Sequence, residues 1–206
     1  MRTRVKICGI TRIEDARAAI AAGADAIGLV FYAQSPRCIA ADRARAIVAA
    51  LPPFVTIAGL FVDAEPEAVR GIVSVVPLSL LQFHGSETPE QCRSYGRPYV
   101  KAVTMRDGVD LSADEKRFAD AAALLLDTFT PGVPGGSGRA FDWSRVPLKR
   151  TKPLILAGGL TPENVADAVR RVRPDAVDVT SGVEASKGVK DPTKIVAFIN
   201  AVRDAA

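Results

Sequence analysis

The feature that most constrains this chain is an eightfold alternation of short apolar runs with amphipathic segments. The apolar runs occupy residues 5–8, 26–31, 55–61, 80–83, 99–103, 123–127, 154–156 and 176–179. Between them lie helical patterns with their own start and stop signals. Thr11 and Glu14 form a Thr-x-x-Glu capping box, and Gly23 ends the helix that follows. Further helices are expected over 42–51, 65–72 and 111–119, with another opened by Thr88-Pro-Glu-Gln91. Trp143 begins a very short one. Thr161-Pro162 caps a helix whose apolar face is Val165, Val169 and Val172, and Asp191-Pro192 caps the last, with core positions Ile195, Ile199 and Val202. Strands apolar on both faces suit a parallel sheet covered by helices. Eight such units close into a barrel, whereas an open doubly wound sheet more often uses about five to seven strands. The expected fold is therefore α/β, a (β/α)8 TIM barrel, with residues 1–206 as a single domain.

Composition narrows the function. With 206 residues and 48% hydrophobic content the chain can bury one sizeable core. No run of 18 apolar residues exists, and Met1-Arg-Thr-Arg-Val-Lys6 leads into a strand without a signal-peptide apolar region, so neither membrane nor export is expected. Three cysteines without metal-ligand spacing indicate a reducing compartment, and a cytoplasmic location is expected. One histidine excludes a His-rich metal site. The net charge of +4 comes from scattered basic residues, which suits an anionic small molecule better than nucleic acid. A monomer is expected rather than a homodimer.

Two late turns indicate the ligand. Leu154-Ile-Leu-Ala-Gly-Gly-Leu-Thr-Pro-Glu-Asn164 runs from a strand through two glycines, and Val177-Asp-Val-Thr-Ser-Gly182 repeats the pattern. Two neighbouring strands that end in bare N–H groups cradle an anion, most often phosphate. In a barrel of this kind the chemistry sits at the carboxyl ends of the strands. The reactive side chains there are Cys8, Arg37, His84, Asp127 and Asp178. Asp127 closes an apolar strand, where a carboxylate is costly unless used or paired, and burial would suit it to act as an acid. Arg37 is either a solvated loop charge or a bidentate clamp for a carboxylate. His84 either bonds the backbone or touches substrate. Asp178 is expected to hold the turn that follows it, and Cys38 and Cys92 to be packing residues. Gly135-Gly-Ser-Gly138 has no strand immediately before it and no long helix after it, so it is an active-site loop rather than a dinucleotide loop.

Together these stretches resemble the phosphoribosylanthranilate isomerase family of tryptophan biosynthesis. The resemblance rests on Lys6-Ile-Cys-Gly-Ile-Thr11, Gly28-Leu-Val-Phe-Tyr32 with Ser35-Pro-Arg37, Gln82-Phe-His-Gly85 and Asp127-Thr128. It continues through Gly135-Gly-Ser-Gly138 with Phe141-Asp-Trp143, Leu156 to Val165, Asp178 to Glu184 and Gly188 to Asp191. Phe83 stands where the family usually has Leu, while Ser137 and Thr180 replace a common Thr and Ser. The resemblance implies a cofactor-free Amadori rearrangement of a small phosphorylated substrate, with Cys8 as general base and Asp127 as general acid. It implies that Arg37 holds the anthranilate carboxylate and that His84 lies near the substrate. The backbone of Gly158, Gly159, Ser181 and Gly182 would hold the phosphate. A free thiol, with a pKa of ~8.5, would then need help to ionise at neutral pH. Two rivals remain: a histidine-pathway isomerase, which pairs two aspartates where this chain has Cys8 and Asp127, and a phosphate binder without chemistry.

Overall fold

In a computed structural model, described over residues 2–128 and 141–205, eight parallel strands close into a barrel in the order β1 to β8. They are β1 (Arg4–Ile7), β2 (Ala26–Val30), β3 (Thr56–Phe61), β4 (Leu80–Phe83), β5 (Tyr99–Met105), β6 (Ala123–Thr128), β7 (Leu154–Leu156) and β8 (Ala176–Val179). The helices are α1 (Ile13–Ala22), α2 (Ala41–Ala49), α3 (Pro66–Val75), α4 (Pro89–Arg93), α5 (Leu111–Arg117), α6 (Val165–Val172) and α7 (Pro192–Ala205). Trp143–Arg145 is the expected very short helix, a single 3-10 turn. The loop carrying Gly135–Gly138 lies outside the described residues. Among the described residues no helix is long and apolar enough to cross a membrane.

Side-chain alternation divides the core in two. Residues such as Val5, Ile7, Leu81, Phe83, Leu124 and Leu126 point outward and pack under the helices. Val100, Ala102, Ala123, Leu125 and Ala157 point inward and fill the barrel beside β5, β6 and β7. The other half of the interior departs from the expectation that the strands are apolar on both faces. Lys6, Gln82 and Asp178 are buried there, on β1, β4 and β8. A period of two, applied to 5–8 and 80–83, places Lys6 and Gln82 on one face of their strands. They are tolerated because they bond one another: Lys6 Nζ donates to Asp178 Oδ2 at 2.8 Å and to Gln82 Oε1 at 3.0 Å.

Several local signals hold and two do not. Thr88 and Gln91 form a reciprocal capping box at α4, and Asp191 Oδ1 accepts from Thr193 N at 2.9 Å at the start of α7. Val165, Val169 and Val172 are buried on one face of α6. The Thr11/Glu14 capping box does not form. Arg12 is the N-cap of α1 and makes no side-chain cap, because the Thr11 hydroxyl is drawn away to donate to Gly188 O. Thr161 is not the N-cap of α6, which begins at Val165 after Asn164. A tertiary contact decides the first case and a folded turn the second. Cys92 packs as expected, but Cys38 is exposed.

An unforeseen hairpin follows β8: β9 (Glu184–Ser186) and β10 (Val189–Lys190) pair antiparallel. Thr11 holds its turn through Gly188 O, Asp15 Oδ2 accepts from Lys190 N at 3.1 Å, and Lys194 Nζ donates to Glu184 O at 2.9 Å. The hairpin is thereby fastened to α1 and α7.

Outside the barrel, Phe83 is the hub of an aromatic cluster. Its ring lies 6.0 Å from Phe61, 5.8 Å from Tyr95 and 6.2 Å from Tyr99. With Phe83 only 2% exposed, Phe83→Ala should cost about 3–5 kcal/mol of stability, read as a lower urea midpoint at unchanged slope.

Candidate active site

One cavity at the carboxyl ends of the strands is lined by Cys8, Arg37, His84, Asp127, Gly158, Gly159 and Ser181. Seven of the eight residues expected in the site therefore face a common space. The eighth, Gly182, stands behind it: a side chain there would collide with the Leu160 carbonyl. Its lack of a side chain lets the turn after β8 press against the turn after β7, while its N–H belongs to the open end of the 3-10 turn that follows β8.

Each wall has a local cause. Cys8 follows β1 and His84 follows β4, and both continue the inward-facing alternation of their strands. Asp127 is the penultimate residue of β6 and is 6% exposed. Its Oδ1 accepts from Thr128 N at 2.8 Å, and its Oδ2 lies 3.1 Å from His84 Nε2. The His84 ring thus bonds side chains of its neighbours rather than backbone. Its Nδ1 lies 3.3 Å from Gln82 Nε2.

The direction of every bond in this chain is forced. Lysine has only donors, so Gln82 must offer Oε1 to Lys6 and its NH2 to His84 Nδ1. His84 Nδ1 is then an acceptor, which leaves the proton on Nε2 to be donated to Asp127. A continuous line of donors runs from Lys6 through Gln82 and His84 to Asp127. Gln82 and Lys6 open two of the stretches that carry the family resemblance, but neither was expected to have a role in the site. Their signal was available, as polar residues inside strands that are otherwise apolar.

Asp178 corrects another expectation. It does not hold the Thr180–Gly182 turn but pairs with Lys6, both side chains being 6% exposed. Its Oδ1 is buried and has no partner among the described residues. Burial opposes the charge on Lys6, but Asp178 and Cys8 outweigh it and hold the ammonium pKa above its usual value.

Arg37 is placed by a folded loop. Ser35 N donates to Tyr32 O and Cys38 N to Ser35 O, and Ile39 N returns to Val30 O at 3.0 Å. The guanidinium is neither solvated nor a free fork. Its Nε and Nη2 each donate to Glu184 at 2.7 Å, which leaves Nη1 and the second Nη2 proton on the other edge. Glu184 also accepts from Lys190 Nζ at 3.0 Å and from Gly188 N at 3.3 Å. Burial opposes its charge, but Arg37 and Lys190 hold its carboxyl below the usual range. Burial pushes the Lys190 ammonium down despite Glu184. Glu184 and Lys190 are a support that no single motif residue announced.

The anion cradle combines two turns. Gly158 and Gly159 both take left-handed backbone angles, φ +79° and +64°, which favour glycine and bare the amides. Asn164 fixes this turn: its Oδ1 accepts from Thr161 N and its Nδ2 donates to Gly159 O, both at 2.8 Å. Ser181 and Gly182 open the 3-10 turn Ser181–Val183, so their N–H groups have no partner within it. A side chain at Gly158 would stand 2.8 Å from Asp127 Oδ1, so the cradle abuts the carboxylate. The cavity therefore combines a thiol, a carboxyl group held by histidine, a guanidinium edge and two turns with bare amides.

The chain is similar to known proteins along nearly its whole length. The family profile described as N-(5'phosphoribosyl)anthranilate (PRA) isomerase matches residues 5–201. N-(5'-phosphoribosyl)anthranilate isomerase of Pseudomonas fluorescens (strain Pf0-1) is 62% identical over 97% of this chain and 98% of its own. That of Nitrosococcus oceani is 59% identical over 98% of each. The crystal structure of phosphoribosyl anthranilate isomerase from Thermotoga maritima superimposes with a TM-score of 0.90 at 45% identity, covering 98% of this chain and 99% of that one. A phosphoribosyl anthranilate isomerase in complex with reduced 1-(o-carboxyphenylamino)-1-deoxyribulose 5-phosphate gives 0.87 at 42%, with the same coverage. One further T. maritima structure, at 40% identity, is of monomers generated from a dimeric enzyme. On the length and level of these matches, the chain belongs to the N-(5'-phosphoribosyl)anthranilate isomerase family.

Proposed function

We propose that Cys8 and Asp127 are the general base and general acid of the rearrangement that this family carries out. The reaction takes N-(5-phosphoribosyl)anthranilate to 1-(2-carboxyphenylamino)-1-deoxyribulose 5-phosphate, an aldose–ketose isomerisation of tryptophan biosynthesis. One observation carries the assignment: Cys8 and Asp127 end β1 and β6 and face the same cavity, with the anion cradle at its edge.

Asp127 enters the reaction protonated, on a lone pair that the bonds from Thr128 N and His84 Nε2 leave open, and gives that proton to the furanose ring oxygen. The C1–O bond breaks, and the anthranilate nitrogen lone pair forms the C1=N iminium. The Cys8 thiolate then removes the proton from C2. The C2–H electron pair becomes the C1=C2 bond and neutralises the iminium, giving an enolamine. Transfer of the proton from the C2 hydroxyl to C1 yields the ketone. The free edge of Arg37 takes the anthranilate carboxylate, and the amides of Gly158, Gly159, Ser181 and Gly182 take the phosphate. The ligand of the relative that is 42% identical carries both anionic groups, which supports this division. His84 holds Asp127 at the substrate. No cofactor enters the scheme. Residues 1–206 are taken as one domain, and the free thiol at Cys8 supports a cytoplasmic location.

Cys8→Ser and Asp127→Asn should each lower kcat by about 10²–10⁴ with far smaller changes in KM. With substrate deuterated at C2, Cys8→Ser should show the larger isotope effect, because proton abstraction belongs to Cys8. The reverse order would exchange the two roles.

Arg37→Lys should lower kcat/KM by on the order of 1–3 kcal/mol of transition-state binding, because an ammonium cannot serve Glu184 and a carboxylate through two planar edges. Glu184→Gln should lower kcat/KM in the same direction with Arg37 intact. Wild-type steady-state values in both variants would remove Arg37 from the carboxylate site.

Every group named belongs to one chain, so the catalytic unit proposed is a monomer, whatever contacts the fully exposed Phe54 makes on the turn before β3. Specific activity should stay constant on serial dilution through any dissociation followed by light scattering. A fall in step with dissociation would overturn it.

A further inference from the structure

We propose that Lys6 is the resident counter-ion of the Cys8 thiolate, brought to it by the missing side chain at Gly28 and locked in place by Asp178 and Gln82. The inference rests on the reading of Cys8 as the base, and it names what makes a thiol serve as one. Gly28 lies in β2 with ordinary extended backbone, so its backbone conformation does not demand glycine. The space beside it does. A Cβ there would stand 2.6 Å from Cys8 Sγ and 3.0 Å from Lys6 Nζ. The thiol and the ammonium therefore both border one point inside the barrel, and the absent side chain leaves the space between them open.

Lys6 is built to stay. Two of its three N–H donors are held by Asp178 and Gln82 at 2.8 and 3.0 Å, and the third remains for Cys8. In a poorly solvated interior a fixed cation beside a thiol favours the thiolate. Arg37 and Lys190 add their charge from the loop after β2 and from β10, and both are tied to Glu184 on β9. On the far wall His84 faces Asp127 rather than the thiol. Lys6 is the buried cation of β1, two residues before Cys8, and the one that borders the same point beside Gly28. It acts through Cys8 and is a positioning residue rather than a catalytic one.

The test reads the thiolate without turnover. The full-length protein is treated with iodoacetamide across pH, and modification of each cysteine is followed by peptide mass. Exposed Cys38 reports general reactivity, while Cys92, whose thiol burial pushes up to about 12, stays unmodified in folded protein. In Lys6→Met the Cys8 rate at pH 7 should fall at least about tenfold, and the inflection of its pH profile should move to higher pH. In Asp178→Asn, which breaks the same ion pair but leaves the cation, the inflection should fall. Opposite movements mark electrostatics, because loss of structure alone would move both variants alike. Movement in the same direction, or Cys8 profiles that coincide with wild type, would overturn the proposal. If Lys6→Met does not fold, Asp178→Asn still decides, since an unmoved or raised inflection there contradicts it. Turnover by Cys8→Ser separately tests the base assignment: full activity there would remove Cys8 as base and leave the alkylation result standing.

Discussion

The structure depends on the seam where β1 meets β8. In that pairing Lys6 stands in register with Asp178. Both side chains point into the barrel and close on each other at 2.8 Å. A slip of one residue would turn Lys6 out among the helices and Val5 or Ile7 into the polar floor. The pair therefore fixes register at the strand contact that must form for the barrel to exist. Its net energetic gain is modest, because two charges have been taken out of water. Its specificity is high, because either charge left alone there would be costly.

From this seam the site rises in two layers. The lower contains Lys6, Gln82 and Asp178, with Gly28 leaving the gap between Lys6 and Cys8. The upper contains Cys8, His84 and Asp127. The layers are joined by bonds whose donors and acceptors admit one arrangement, so the histidine tautomer at the mouth follows from a lysine at the floor. The apolar half of the interior, around Leu125 and Ala157, fills the remaining volume. The floor is thus carried on strands, where geometry is stiff, while the anion cradle is carried on turns, where amides lie bare.

The strand order, the barrel and the residues around the mouth were legible because they rest on short-range signals. Apolar runs, glycine turns and polar strand ends report on their own neighbourhoods. The misses share another cause. Thr11 looked like a cap because Glu14 follows it, yet its hydroxyl is claimed by Gly188, far along the chain. Asp178 looked like a support for the next turn, yet its partner is Lys6. Arg37 looked free to clamp a ligand, yet one edge is held by Glu184. In each case a partner distant in sequence outcompeted a local one, and nothing near the residue announces such a partner. Lys6 and Gln82 are different. The alternation of their strands marks them, and they were passed over because strands buried on both faces are expected to be apolar.

The clasp on Arg37 also bears on the order in which the protein matures during synthesis. Arg37 is made early, but Glu184, which seats it, follows 147 residues later. Lys190, which seats Glu184, comes later still. β1 likewise waits for β8 before the barrel can shut. A nascent chain emerging from the ribosome would carry its thiol, histidine and carboxylate for most of translation without a closed floor or an aligned guanidinium. The wall that carries the free edge of Arg37 is thus among the last parts to be organised, and a partly made chain lacks both the closed barrel and the seated guanidinium.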